Sequence, residues 1–111
     1  MTIPWGAYQF QGPSKYTRGM VKDIGGGVYA IMIITKYDND KPIYKIIYFG
    51  QTNDFATRLT EEHHKYSCFI KQSKELYRGL YFMANSTEEQ REKIESELIK
   101  QYTPVCNEVI P

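Results

Sequence analysis

A tyrosine, an arginine and two adjacent histidines stand close together in the middle of this chain. The stretch Tyr48–Arg58, YFGQTNDFATR, closes an apolar run and opens a helix-like pattern, and His63 and His64 follow soon after. A guanidinium is planar and always charged, which suits oxyanions whose charge grows during a reaction. Imidazole titrates near neutrality, and it and a phenol can move protons. Anion binding beside proton transfer is the chemistry these residue types support. Their ordinary alternatives are a capped turn and helix-end histidines that favour the negative end of a helix dipole.

A carboxylate joins the set from the far end of the chain. In EEQREKIESELIKQY, Ile94, Leu98 and Tyr102 recur at intervals of four and, with Ile99, define an apolar stripe. At about 100° per residue, Glu95 falls inside that arc, whereas Glu97 falls on the solvated side. A carboxylate turned into an apolar face must meet a cation, a hydrogen-bond donor or a metal. The wheel leaves two readings open: a structural salt bridge with Arg58 or Arg91, and a ligand-binding role.

The elements that position these residues follow from pattern and punctuation. Two β-rich runs, Val28–Lys36 and Ile43–Phe49, flank the turn-forming DNDKP and predict an antiparallel hairpin. Asn53 or Asp54 can cap a helix running to about Glu62, with a short second helix around Ser67–Ser73. ELYRGLYFMA supplies a third strand. Ser86 and Glu89 form a capping-box pattern ahead of the last helix, which must stop before Pro104. The expected fold is α+β: a three-stranded antiparallel sheet flanked by helices, in the order β-β-α-(α)-β-α. Residues 1–26, rich in glycine, proline and aromatics, read as an N-terminal arm packed on a domain spanning 27–111. In that arm Lys15, Arg18 and Lys22 lie among Tyr8, Phe10 and Tyr16, a mixture that can also stack on bases and pair with phosphates.

Composition narrows the class. The length of 111 residues suits one domain with a real core. Ten tyrosines suit amphipathic rim positions and a wet cleft for a polar ligand. A net charge of +1 means that an anionic partner must be met by a local patch. The apolar runs YAIMII and YKIIYF are too short to span a bilayer, and MTIPWGAYQF lacks a signal-peptide pattern, so a cytoplasmic protein with no membrane partner is expected. Cys68 and Cys106 are far apart and are expected to be reduced and buried. A zinc set of His63, His64, Cys68 and Cys106 can be written, but it lacks the short paired spacing of zinc modules. Gly25-Gly26-Gly27 precedes a strand rather than a helix, so it is no phosphate-cradling loop.

Four motifs in order resemble the GIY-YIG nuclease family: GGVY at Gly26–Tyr29, YFG at Tyr48–Gly50, QTNDFATRL with Thr52 and Arg58, and IESELIKQYTPVCN with Glu95 and Asn107. The resemblance covers residues 26–107. It implies a standalone GIY-YIG domain that hydrolyses DNA phosphodiesters and leaves a 5′ phosphate, with one Mg²⁺ or Mn²⁺ held by Glu95. It implies catalytic positions at Tyr29, Tyr48, Arg58, His63, Glu95 and Asn107. Tyr29, or His63 instead or in relay, would be the base, Tyr48 would orient water or the metal shell, and Asn107 would brace the site. One departure is that the position four residues after the arginine, often histidine in the family, is Glu62; a one-residue insertion brings His63 into place, with His64 beside it. Gly50 is expected to permit a turn or a close approach of ligand. With no second DNA-binding module, specificity would come from a homodimer, a partner protein or DNA shape. The alternative is a non-catalytic DNA-binding module that keeps the fold, and a zinc-stabilised interaction domain is a third reading.

Overall fold

The computed structural model describes residues 1–16, 25–60 and 62–107. Arg18 and Lys22, singled out in the sequence, lie outside them. The fold is organised by a long hairpin. β-branched and aromatic residues dominate Gly27–Asp38 and Lys41–Thr52, here β3 and β4, which pair antiparallel from Gly27 opposite Thr52 to Asp38 opposite Lys41. Asn39 and Asp40 join them with φ of 51° and 65°, the two left-handed positions that a tight hairpin turn requires. Both strands run longer than the apolar runs that predict them.

The expected three-stranded sheet is corrected to five strands in the order β1-β2-β5-β3-β4, each antiparallel to its neighbours. The two extra strands, β1 (Thr2–Trp5) and β2 (Tyr8–Lys15), come from the segment read as an irregular arm. β2 pairs with β5 (Tyr77–Phe82), which in turn pairs with β3. The physical reason for the misreading is local. Gly12-Pro13 sits where the β2–β5 register shifts between Gln11 and Ser14, so a proline that argues against a strand falls at an irregularity that tolerates it. Trp5 meets Tyr102 edge-on at 5.4 Å, and the Gly6 N–H donates to the Tyr102 hydroxyl at 2.7 Å, which fixes the hairpin to the last helix.

Helices cover both faces. Phe55–Arg58 (α1) is capped by Asp54, whose Oδ1 accepts the Ala56 N–H at 3.1 Å. It stops short of the expected Glu62. Leu59 turns out of the helix into the core at 1% exposure, and the Tyr16 hydroxyl donates to the Thr60 carbonyl at 2.6 Å. Tyr66–Gln72 (α2) lies close to the expected second helix. Glu88–Tyr102 (α3) spans the periodic segment, but its capping box is Thr87 with Gln90 rather than Ser86 with Glu89. It ends at Thr103, in the left-handed conformation, ahead of Pro104 and a 3₁₀ turn, Val105–Asn107. Alternate residues of β3 feed two cores. Tyr29 and Ile31 pack with Phe55, Leu59 and Phe69 under α1 and α2. Val28, Ala30 and Met32 pack with Phe10, Phe49 and Leu98 under α3. No helix among the described residues is long and apolar enough to cross a membrane.

Candidate active site

The site forms where β3 and β4 place Tyr29 opposite Gly50 and Ile31 opposite Tyr48. A Cβ at Gly50 would overlap the Tyr29 Cζ and hydroxyl, so the glycine is required by the Tyr29 ring lying on the neighbouring strand. The close approach expected at Gly50 is therefore made by a side chain of the protein itself. The Tyr29 and Tyr48 rings stand 6.0 Å apart. Tyr29 is closed to solvent and Tyr48 is nearly so.

His63 completes this pair because the chain leaves α1 early and turns back. Its ring is 6% exposed, and Nε2 lies 2.6 Å from the Tyr29 hydroxyl. The Lys65 N–H donates to His63 Nδ1 at 3.0 Å. A nitrogen that accepts carries no proton, so the neutral ring holds its proton on Nε2 and donates it to the Tyr29 oxygen. Burial first, then the neighbouring His64, Arg58 and Lys65 charges, push the His63 pKa down to about 4, which keeps the ring neutral near pH 7. His64 is exposed and stacks on His63 at 4.7 Å between ring centroids.

Arg58 and Glu95 enter from opposite faces of the sheet. Arg58 is exposed, and its guanidinium works against the burial that raises the Tyr29 pKa far above its usual value. Burial and then the Glu95 charge raise Tyr48 in turn. The Glu95 carboxyl is half-buried. Burial, then Glu92, push its pKa up to about 7, against the pull of Arg58 and of the Gln51 backbone. The structure thus brings Tyr29, Tyr48, Arg58, His63 and Glu95 to one place. Asn107 spends its side chain on the backbone beside Tyr48. Its Oδ1 accepts the Phe49 N–H at 2.7 Å and its Nδ2 donates to the Phe49 carbonyl at 2.8 Å, so it takes the place of a strand partner along the outer edge of β4.

Arg91, which the sequence did not assign to the site, adjoins it. Arg91 is 8% exposed; its Nε donates to Gln51 Oε1 at 2.9 Å, and its Nη1 donates to the Ser86 carbonyl at 2.7 Å and hydroxyl at 3.1 Å. It therefore spends these donors on neutral oxygens and not on Glu95. The available signal was its position one helical turn before Glu95. Cys68 and Cys106, expected to be reduced, are joined in a disulfide with Cα atoms 5.9 Å apart, which also removes them from any zinc set. Their 38-residue separation hides a contact that only the packing of α2 on the 3₁₀ turn creates.

Among the described residues no group of three or more His, Cys, Asp or Glu side chains could hold a metal ion. A single carboxylate at Glu95 still fits an ion that keeps its waters and completes its shell with substrate oxygens. No family model, curated protein or solved structure matches the chain.

Proposed function

We propose that the chain is a divalent-metal-dependent DNA endonuclease of the GIY-YIG kind, with its site at the β3–β4 hairpin. The observation that carries this reading is the convergence of Tyr29, Tyr48, Arg58, His63 and Glu95, distant in sequence, on one patch. Arg58, exposed at the surface, contacts the non-bridging oxygens of the scissile phosphate. A divalent ion held by Glu95 would supply the positive charge that neutralises the phosphate and the departing 3′ oxygen.

His63 donates to Tyr29, so it cannot take the Tyr29 proton while its Nδ1 accepts from Lys65. Its role is to stabilise a Tyr29 phenolate. Tyr29 loses its proton to solvent when cation and substrate arrive, and the phenolate takes the proton of the attacking water as the water oxygen bonds to phosphorus. The bond to the 3′ oxygen breaks, the 5′ phosphate remains on its strand, and the leaving oxygen is protonated from solvent. Tyr48 orients the water.

Three observations favour a second reading, a DNA-binding module without turnover: Tyr29 is sealed from solvent, its pKa is raised, and Glu95 titrates near neutrality. A nicking assay on supercoiled plasmid and on a branched DNA junction, with Mg²⁺, Mn²⁺ or EDTA, separates the two. The nuclease predicts metal-dependent cutting that Glu95→Gln and Tyr29→Phe abolish. Retained binding with no cutting by wild type supports the binding module.

A further inference from the structure

We infer that Arg91 and Arg58 line a second anion subsite that holds the DNA phosphate next to the scissile one, an inference that rests on the nuclease reading for the identity of its ligand. A polar cavity of about 350 Å³ opens between the β4 end and the start of α3, lined by Gln51, Thr52, Asn53, Arg58, Glu88 and Arg91. Two of its six side chains are guanidinia, one exposed and one nine-tenths buried.

The buried guanidinium is held in a set orientation. Gln51 takes its Nε–H and Ser86 takes Nη1, which leaves Nη2 with no hydrogen-bond partner among the described residues. Arg91 lines the cavity beside Gln51. A buried charge whose hydrogen bonds among the described residues all go to neutral oxygens favours an anion to compensate it. A planar guanidinium in the lining of a polar cavity offers donors that a phosphate oxygen accepts.

Arg58 lines this cavity and also faces Tyr29, so the two phosphates would share one guanidinium between adjoining positions. Glu88, also in the lining, is exposed in the first turn of α3 and opposes an anion, which sets the subsite for a single phosphate rather than for a polyphosphate.

The test reads binding without catalysis. Inorganic phosphate is titrated into the full chain while the Arg Nε–H signals are followed by NMR. The expected result is saturable movement of the Arg91 signal, which is slow to exchange because Gln51 holds it. Movement of Arg58 alone, or of neither, overturns the subsite. A second variant, Gln51→Glu, keeps the side-chain size and places a carboxylate against Arg91; it is expected to abolish the Arg91 response with little change in melting temperature. A persistent Arg91 response in that variant also counts against the assignment.

On a labelled duplex, the logarithm of affinity against the logarithm of salt should have a slope smaller by about one in Arg91→Gln than in wild type. Equal slopes, with both proteins folded, overturn the assignment of the ligand as a DNA phosphate. Loss of all metal-dependent cutting in wild type would sink the nuclease reading, and the phosphate titration would still decide the subsite.

Discussion

Glu95 is the residue at which the structure commits itself most sharply, because its carboxyl is held where ionisation is unfavourable. Burial and Glu92 push its pKa up to about 7 from an ordinary 4.5. A carboxyl that binds its proton more tightly folded than unfolded stabilises the fold fully below about pH 4.5. That contribution is lost as pH rises through about 7. The gap between the two values sets a ceiling of about 3 kcal/mol, and water reaching the half-buried group lowers it to about 1–2 kcal/mol. His63 acts in the opposite sense. With its pKa held down to about 4, its contribution is complete above about pH 6.5 and fades as pH falls towards 4. Between about pH 4.5 and 6.5 the two slopes oppose each other, and wild-type stability changes little on their account.

Glu95→Gln removes one side of this balance and keeps the volume. Urea unfolding in EDTA from pH 4 to 9 should show the variant more stable than wild type by about 1–2 kcal/mol at pH 8, roughly 4–8 °C in melting temperature. The difference should vanish near pH 4.5, and the variant should show an unmasked fall in stability below pH 6.5 from His63. Equal stabilities at pH 8, or a less stable variant, would refute the claim that Glu95 carries an uncompensated charge. Mg²⁺ should then raise the melting temperature of wild type at pH 8 and leave that of Glu95→Gln unchanged, since only a ligand of the folded state stabilises it.

Gly50→Ala forces a methyl group into the Tyr29 ring and should cost about 1–3 kcal/mol, with the His63 ring signals shifting as the Tyr29 hydroxyl moves; an unperturbed His63 would show that Gly50 is not set by Tyr29. Asn107→Ala removes both partners of the Phe49 backbone and should cost about 2 kcal/mol by urea unfolding, and Asn107→Asp, which keeps the acceptor but sets a carboxylate oxygen against the Phe49 carbonyl, should cost at least as much. Reducing the Cys68–Cys106 bridge frees a 38-residue separation and should lower stability by about 4 kcal/mol. A melting temperature indifferent to reductant would show that the two sulfurs are not linked in the protein.

What was legible in the sequence was what repeats. α3 could be read because Ile94, Leu98 and Tyr102 keep one face, and the β3–β4 hairpin because apolar β-branched runs flank Asn39-Asp40. Glu95 stood out for the same reason, as a polar break in a periodic face. What failed had no period. β2 is interrupted by Gly12-Pro13, which leaves only the four alternating residues Tyr8–Gln11 to read, too few to signal a strand or its pairing with β5. The end of α1 depends on Leu59 finding a core and on Tyr16 reaching Thr60, contacts that span the fold. Arg91 could be placed beside Glu95 on α3, but only the packing of Gln51 and Ser86 shows that it is buried with its hydrogen bonds on neutral oxygens.

The proton on His63 fixes the direction in which the site can work, and it does so through the backbone. Lys65 donates to Nδ1 from two residues along the chain, a bond that exists only because α1 ends at Arg58 and the next residues turn back towards β3. With Nδ1 committed, Nε2 can only donate, and the Tyr29 oxygen must accept. The same oxygen also faces the Arg58 guanidinium, so two donors from α1 and its following turn bear on one phenol. Both favour the phenolate, and burial opposes it. Donors set against a low-dielectric wall produce a group that stays neutral at rest and ionises when more positive charge arrives nearby. Such a group is held in reserve by the free protein, and Glu95, itself short of a cation, is where that charge would be admitted.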